Sequence, residues 1–212
     1  MPPSGHCSRI GYMPPISRNE WKRIRALKRK KERRESGRFL VEGARACEEL
    51  FEAAWPAECV LVAAGARDDP RVAALLDKVQ GRCVIYECND SEMESVSDAV
   101  TSQGIVAVTR RKEMPPDSLT EGGHDLLVVL DRVQDPGNVG TILRAADWFG
   151  ADGVVLGQGC AELLSPKTVR SSAGSLFHVP VWDEVFLPDA LSRLRENGHR
   201  IVGASVAGLP CP

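Results

Sequence analysis

The fold is decided by residues 126–149, which read LLVVLDRVQDPGNVGTILRAADWF. Leu126 to Leu130 form a purely aliphatic run, which predicts a strand buried on both faces of a parallel sheet. From Asn138 to Phe149 apolar residues recur at helical spacing, so a helix is expected after a short polar loop. Ligands in open α/β sheets bind at the carboxyl ends of strands, and this loop lies at such an end.

Three residues of this stretch could serve a site. Asn138 can cap the helix, and Gly140 would let another backbone approach closely. Arg144 follows Asn138 by six residues, under two helical turns, so its side chain could reach back towards the strand ends. On spacing alone, a generic capped helix is the favoured interpretation. The glycine fingerprint of dinucleotide binding and the Walker phosphate-binding pattern do not occur in the sequence.

The residues around this stretch predict two α/β units. After it, strands are expected at Gly153–Leu156 and Arg200–Ala204, with an extended segment at Phe177–Val181. Strand and helix alternate there, which indicates a parallel sheet with right-handed crossovers. Before it, a helix at Arg18–Ser36 opens a second alternation of helices and strands that continues to Thr109.

The chain is predicted to divide into four parts. Residues 1–17 hold several prolines and glycines and show no periodicity, so they are expected to be a disordered leader. Residues 18–110 form the first domain, 111–124 a linker with two prolines and two glycines, and 125–212 the second domain.

The composition is that of an ordinary globular protein. The chain has 212 residues, 43% of them hydrophobic, and a net charge of −2, so overall charge predicts no partner. Its seven cysteines contain no C-x-x-C pair, and no Cys/His spacing suggests a metal site. Reduced thiols in a cytoplasmic protein are the simplest account. No apolar run approaches the roughly 18 residues of a membrane helix, so no membrane partner is expected.

Positive charge is concentrated between Arg18 and Arg38, where basic residues outnumber acidic ones. A basic stretch of this kind can follow a nucleic-acid backbone, because neutralising phosphates releases counterions. A solvated helix face is the alternative, and the residues alone leave both interpretations open.

Three motifs in the right order carry a family resemblance. Asn138-x-Gly140-x-x-x-Arg144 resembles the first signature motif of the SpoU (TrmH-like) family of SPOUT RNA 2′-O-ribose methyltransferases. Residues 165–181 resemble the stretch that follows it in that family, and residues 39–43 resemble the opening of the family's N-terminal domain. The resemblance implies an α/β fold with a ribosomal-protein-like α/β/α substrate-binding domain, followed by a parallel α/β SPOUT domain, also called the α/β-knot.

The same resemblance implies a reaction and its partners. In the family, a ribose 2′-hydroxyl of RNA attacks the methyl group of S-adenosylmethionine, and the motif arginine, here Arg144, belongs to the catalytic centre. Since arginine stays protonated, we expect Arg144 to clamp the adjacent phosphate, with a surface salt bridge as the alternative. Asn138 is expected to shape the loop around the active site, with a plain helix cap as its alternative. Ribosomal RNA is expected as the substrate rather than transfer RNA, and a homodimer as the assembly.

The resemblance also favours RNA contact for the basic residues. The expected RNA-binding residues are Lys28, Arg29, Lys30, Lys31, Arg33, Arg34 and Arg170. A local hydrogen-bonding role is the alternative for Arg170.

Two later motifs of the family do not occur in this sequence, a Gly-Glu-Gly-like loop and a Ser-Leu-Asn stretch before the last helix. In the family these motifs build the trefoil knot, bind S-adenosylmethionine and form much of the dimer interface. We therefore expect a C-terminal truncation with the knot segment missing, and no donor-binding residue can be named. The alternative function is a non-catalytic RNA-binding protein, or a fragment that lacks the donor site.

Overall fold

The computed structural model describes residues 13–99, 102–121 and 123–204. The strands in these ranges are β1 Arg38–Glu42, β2 Ala57–Ala63, β3 Val84–Cys88, β4 Ile105–Arg110, β5 Leu127–Leu130, β6 Gly153–Gly157 and β7 Val181–Val185. They form a mixed four-stranded sheet with the order β1-β4-β2-β3 and a parallel three-stranded sheet with the order β5-β6-β7.

Helices cover both sheets. They are α1 Arg18–Ala26, α2 Lys30–Ser36, α3 Ala44–Glu52, α4 Pro70–Val79, α5 Asp90–Val96, α6 Ser118–Glu121, α7 Pro136–Trp148, α8 Pro166–Ser171 and α9 Leu187–Glu196. We call β1–β4 with α1–α5 the N-terminal unit, and β5–β7 with α6–α9 the C-terminal unit.

The N-terminal sheet lies between two helical layers, which confirms the predicted α/β/α arrangement. Strand β2 is buried from Cys59 to its end, and its side chains alternate between two apolar clusters. Val60 and Val62 pack with residues of α3 and α4, whereas Leu61 packs with residues of α1 and α5. Because both faces are covered, the strand is apolar at successive positions rather than at alternate ones.

The basic segment forms two helices, so the single helix predicted at Arg18–Ser36 is wrong. Helix α1 ends one residue before Leu27, which is buried, and α2 follows after a short turn. The carbonyl oxygens of Leu27 and Lys28 accept hydrogen bonds from the Arg33 guanidinium at 2.7 and 2.8 Å. A helix end leaves carbonyl groups without partners, and Arg33 satisfies two of them, which stabilises the break.

The C-terminal sheet is parallel throughout, as its strand–helix–strand order predicts. Strand β6 is buried along its whole length, and its side chains also alternate between two layers. Val154 and Leu156 pack with Val139 and Leu143 of α7, while Val155 packs on the other face with residues of α6 and α9. This packing fixes α7 against the sheet, directly after β5.

Buried contacts join the two units. The Arg33 guanidinium forms a bidentate ion pair with Glu162, with N–O distances of 2.8 and 2.6 Å. The Trp55 indole N–H donates to the carbonyl oxygen of Phe177 at 3.0 Å, and the two rings pack edge to face. The N-terminal unit is therefore held on the C-terminal unit by packed side chains as well as by the chain that connects them.

The connecting segment is more ordered than its composition predicts. Residues 111–124, predicted as a linker, include α6, whose Leu119 is buried next to Trp182 of β7. The domain bounds at 18–110 and 125–212 stay a prediction.

Two predicted elements near the end of the C-terminal unit are wrong. No strand forms at Arg200–Ala204, where Ile201 and Val202 are exposed. A strand needs a hydrogen-bonding neighbour, and the described ladders do not include this segment. The segment Phe177–Val181, predicted as extended, instead begins in a 3-10 helix, and β7 starts only at its last residue.

The ends of the chain lie outside the described residues, at 1–12 and 205–212. Most of the predicted leader, 1–17, falls there, while Met13 packs against the apolar cluster that both units share and Ile16 packs against the one formed by the N-terminal unit. In the ranges that the structure describes, no helix is long and apolar enough to cross a membrane. The same ranges contain no group of His, Cys, Asp and Glu residues that could hold a metal ion.

Candidate active site

Helix α7 begins directly after the loop that follows β5, and Asp135 fixes its first turn. The Asp135 carboxylate accepts a hydrogen bond from the backbone N–H of Asn138 at 3.0 Å, and Pro136 occupies the first helical position. Proline suits that position because its missing N–H would have no partner there. The alternative role of Asn138 as a plain helix cap is therefore wrong, and its side chain is exposed in the first turn.

Gly140 lets α8 approach α7, which confirms the predicted close backbone contact. A Cβ atom at Gly140 would overlap the Ser171 hydroxyl and lie 2.7 Å from the carbonyl oxygen of Thr168 and 2.8 Å from the backbone nitrogen of Ser172. Helix α8 is capped by Ser165, whose hydroxyl accepts the N–H of Thr168 at 3.2 Å. The two C-terminal motifs thus fold into one tightly packed helix pair.

An ion pair ties these motifs together at the start of α7. Lys167 Nζ lies 2.8 Å from the Asp135 carboxylate. This contact, together with hydrogen bonds from the backbone N–H groups of Asn138 and Gly137, holds the pKa of Asp135 below its ordinary value. Sequence reasoning did not identify Asp135 or Lys167 as site residues. Their position inside the motif stretches was the available signal, but only the packing of α8 on α7 shows the contact.

Arg144 is exposed on α7, and it forms no hydrogen bond or ion pair with the described part of the chain. It lies one turn beyond Gly140, on the side of α7 that faces α8. Asn138 lies about 9 Å back along the helix axis and about 120° around it. The two predicted catalytic side chains therefore flank the exposed face of α7 instead of lying in one line along it.

The prediction that Arg33 binds RNA is wrong, because its guanidinium is buried. Its relative exposure is 4%. Its Nε and Nη2 atoms bind Glu162, and its Nη1 atom binds the carbonyl oxygens of Leu27 and Lys28. An RNA phosphate could reach this group only by breaking the contact between the two units.

The other predicted RNA-binding residues of the basic segment are exposed. They are Lys28, Arg29, Lys30, Lys31 and Arg34. Arg29 pairs with Glu32 at 2.9 Å, and Arg34 pairs with Glu184 of the C-terminal unit. Exposed ion pairs are weak, so these side chains can exchange a carboxylate for a phosphate at little cost.

Arg170 lies apart from this segment, near the end of α8. Its side chain is 40% exposed, and its nearest carboxylate is that of Glu42, 3.7 Å from Nη1. That separation is too long for a hydrogen bond. The alternative of a local hydrogen-bonding role for Arg170 therefore gains no support from this contact.

The edge formed by β5 and the start of α7 is open. Asp131, Arg132, Asn138 and Thr141 are all exposed, and β5 has no strand on its outer side in the described ranges. These residues do not by themselves enclose a ligand as large as S-adenosylmethionine. The geometry therefore assigns donor binding to no individual side chain.

Comparison with known proteins shows similarity over nearly the whole chain. Residues 125–211 match the SpoU rRNA Methylase family, and residues 18–107 match the MRM3-like substrate binding domain. The 23S rRNA (guanosine(2553)-2'-O)-methyltransferase RlmP of Bacillus subtilis (strain 168) is 35% identical over 187 residues, which cover 88% of this chain and 69% of that protein. The mitochondrial rRNA methyltransferase 3A of Danio rerio is 29% identical over 196 residues, which cover 86% of this chain and 42% of that protein.

A solved structure supports the same relationship. The AdoMet bound rRNA methyltransferase from Sinorhizobium meliloti matches 93% of this chain and 74% of its own chain, with a TM-score of 0.77 and 28% sequence identity. The similarity includes both sheet units, since either unit alone would be well short of that coverage.

Proposed function

This chain belongs to the SpoU rRNA methylase family, and we propose that it transfers a methyl group from S-adenosylmethionine to a ribose 2′-hydroxyl of ribosomal RNA. The family resemblance and the two-unit α/β fold predicted from the sequence are confirmed. The observation that carries the proposal is the position of Arg144. It is exposed on the helix that follows β5, one turn beyond the glycine that α8 contacts, with its guanidinium unpaired in the described ranges.

Arg144 would bind the phosphate next to the target ribose. A guanidinium is always protonated in proteins and presents its N–H donors in a planar fork, which matches two phosphate oxygens. A held phosphate positions the adjacent 2′-hydroxyl for attack, and positioning of this kind has large effects on rate. The alternative for Arg144, a surface salt bridge, does not form among the residues that the structure describes.

Asn138 would shape the site from the other flank of the same helix face. The Asp135 carboxylate binds its backbone N–H and is itself held by Lys167, so the amide side chain is free to face the loop. An amide can donate and accept hydrogen bonds at once, which suits a residue that orders a loop around a substrate.

The proposed RNA path includes the basic residues that stay exposed. These are Lys28, Arg29, Lys30, Lys31, Arg34 and Arg170. Each can neutralise a phosphate, so binding should weaken as salt rises. The names of the Bacillus and Danio relatives, both rRNA methyltransferases, support ribosomal RNA rather than transfer RNA as the substrate. S-adenosylmethionine would supply the methyl group, as the AdoMet bound relative indicates.

A cytoplasmic homodimer is the proposed state of the protein. Trp148 and Phe149, at the end of α7, are 85% and 78% exposed, and adjacent large apolar side chains at a surface favour association. Burial raises the pKa of Cys47, Cys59 and Cys88 to about 12, so these thiols stay protonated and unreactive, as suits a reducing compartment.

A second candidate function is RNA binding without catalysis, and the exposed Lys30, Lys31 and Arg34 of α2 favour it, since they can neutralise phosphates without a donor site. One assay separates the two. The purified chain is incubated with methyl-labelled S-adenosylmethionine and a 23S rRNA transcript, and the labelled nucleotide is mapped by its resistance to alkaline cleavage. We expect label at a ribose 2′-oxygen. Transcript that binds the protein and stays unlabelled, with no heat of donor binding by titration calorimetry, would establish the second candidate instead.

A further inference from the structure

A basic groove lies where the two units meet, away from the open edge of β5. Its volume is about 240 Å³. Arg45 lines the wall that the N-terminal unit provides, at the start of α3, and Arg170 lines the wall that α8 provides. Glu42 and Gln103 complete the polar lining. We call these four residues and the space between them the seam groove.

The single carboxylate of the seam groove is already satisfied. Glu42 accepts hydrogen bonds from the Ser97 hydroxyl and, at 3.1 Å, from the Asp98 backbone N–H. Its side chain is 10% exposed, and the Arg170 guanidinium stays 3.7 Å away. Glu42 is thus held by hydrogen bonds from its own unit, and at 3.7 Å its ion pair with Arg170 includes no hydrogen bond. The donors of Arg170 are therefore available to a ligand.

Arg45 is similarly available. Its side chain is 68% exposed, and its nearest carboxylate, that of Glu49, lies 3.9 Å away, which is again beyond hydrogen-bonding distance. Two guanidinium groups thus border one small groove, and among the described residues neither is hydrogen-bonded to an acid. Such a pair suits an oxyanion with several acceptor oxygens, which a phosphodiester group supplies.

The walls of the groove are held in place before any ligand arrives. Gly174, just beyond α8, passes so close to Glu49 of α3 that a Cβ atom at Gly174 would overlap the glutamate side chain. The Gln103 side-chain oxygen accepts the backbone N–H of Ala44 at 3.0 Å, which fixes the start of α3. A ligand that binds here pays little to order the site, since the geometry is already set by packing.

Helix α8 links the seam groove to the candidate active site. Thr168 and Ser171 of α8 contact Gly140 of α7, and Arg170 lies between them in sequence on a different side of the short helix. Arg144 lies one turn beyond Gly140. Arg170 and Arg144 therefore belong to the same packed pair of helices.

We propose that the seam groove binds a backbone phosphodiester of the RNA substrate, with Arg45 from the N-terminal unit and Arg170 from the C-terminal unit as its ligands. The identity of the ligand rests on the proposed function. The inference adds Arg45, which lies outside the basic segment, and makes RNA binding depend on both units at one phosphate. RNA would then also hold the two units together, since each provides one arginine.

The test is the salt dependence of RNA binding by the full chain. Fluorescence anisotropy with a labelled 23S rRNA fragment gives the Kd over a range of KCl concentrations for Arg45→Gln, Arg170→Gln and the double variant. Loss of one phosphate contact lowers the slope of log K against log salt by about 0.7 to 0.9, which at about 0.15 M salt is a four- to fivefold weaker Kd. We expect this for the double variant, with the single variants between it and the wild type. Arg195→Gln, an exposed arginine on α9, is the matched control and should behave as the wild type.

The outcome separates the groove from the activity. A double variant whose Kd and salt slope equal those of the Arg195→Gln control overturns the inference, and a wild-type chain without RNA binding does so as well. Methyl transfer is measured on the same preparations, with thermal unfolding to show that each variant is folded. If the double variant binds RNA more weakly and the wild type transfers no methyl group, the groove is supported and the proposed activity is refuted. If the double variant binds RNA like the control and the wild type transfers methyl groups, the groove is refuted and the proposed activity is supported.

Discussion

Substitution of Arg33 by methionine should destabilise the protein by about 3 kcal/mol. Removing one partner of a buried ion pair typically costs about 3–5 kcal/mol, because the other charge is left without compensation. Glu162 is the charge left behind here, and its side chain is 14% exposed. Because the Glu162 carboxylate is slightly exposed, water can replace some of the hydrogen bonds that the Arg33 guanidinium donates. The expected loss of stability is therefore at the lower end of that range. The freed carbonyl groups of Leu27 and Lys28 lie at a helix end and can also regain water in part.

Urea unfolding followed by tryptophan fluorescence measures this loss. Trp55 lies in the contact between the two units and reports on it directly. Arg34→Met is the matched control, since the neighbouring Arg34 also reaches across to the C-terminal unit but forms an exposed pair with Glu184. It should change the free energy of unfolding by less than about 1 kcal/mol. The double variant Arg33→Met with Glu162→Leu should recover much of the loss, because no unpaired charge remains.

Two results would refute this reasoning. One is that Arg33→Met lowers the free energy of unfolding no more than Arg34→Met does, which would mean that the Arg33–Glu162 pair is not buried in solution. The other is an unchanged free energy of unfolding together with a lower salt slope for RNA binding. In that case Arg33 would contact RNA, as the sequence predicts, and its removal from the RNA-binding set would be the error.

Three further predictions test the helix pair. Gly140→Ala should destabilise the protein by about 1–3 kcal/mol despite alanine's higher helix propensity, because its methyl group would meet the α8 backbone; Gly65→Ala, with open space around it, is the control in thermal unfolding. Arg144→Ala should lower the methyl-transfer rate by about a hundredfold or more while the Tm stays unchanged, and a retained rate would remove Arg144 from catalysis. The pKa of Asp135 is held below its ordinary value of 3.8, first by Lys167 and then by backbone N–H groups. The ionised carboxylate therefore stabilises the fold above pH 3.8, and this stabilisation is lost as the pH falls through the lower pKa of the folded state. Asp135→Asn should therefore flatten the acid limb of a plot of Tm against pH, and an unaltered limb would contradict the assignment.

Elements that depend on local sequence could be predicted, and those that depend on distant partners could not. The run from Leu126 to Leu130 and the spacing from Asn138 to Phe149 placed β5 and α7 within two residues of their observed bounds. The break between α1 and α2 was missed because it is stabilised by Arg33, and Arg33 is fixed by a glutamate 129 residues away. The false strand at Arg200–Ala204 shows the converse, since an apolar run gives a strand only where a neighbour is available to pair with it.

The candidate site divides in the same way. The motif pointed to Asn138, Gly140 and Arg144 because their spacing on one helix is a local property. The contact of Asp135 with Lys167 spans 32 residues and arises only when α8 packs against the glycine of α7. The seam groove depends on still longer separations, since its two arginines come from different units.

Burial decides what each arginine of this protein can do, and the local sequence does not show burial. Arg33 lies in the most basic segment of the chain and looks like the best RNA contact, yet its guanidinium is enclosed and each of its three nitrogens is hydrogen-bonded. Its charge fixes α2 on the C-terminal unit, and that attachment places the exposed basic residues of α2 in a constant position relative to Arg144. Arg144 has the opposite character, since it is exposed on a rigid helix with its donors unused in the described ranges. The same side chain thus serves as a joint between units where it is buried and as a candidate phosphate clamp where it is not, and Arg170, half-exposed beside a satisfied glutamate, belongs with the second kind.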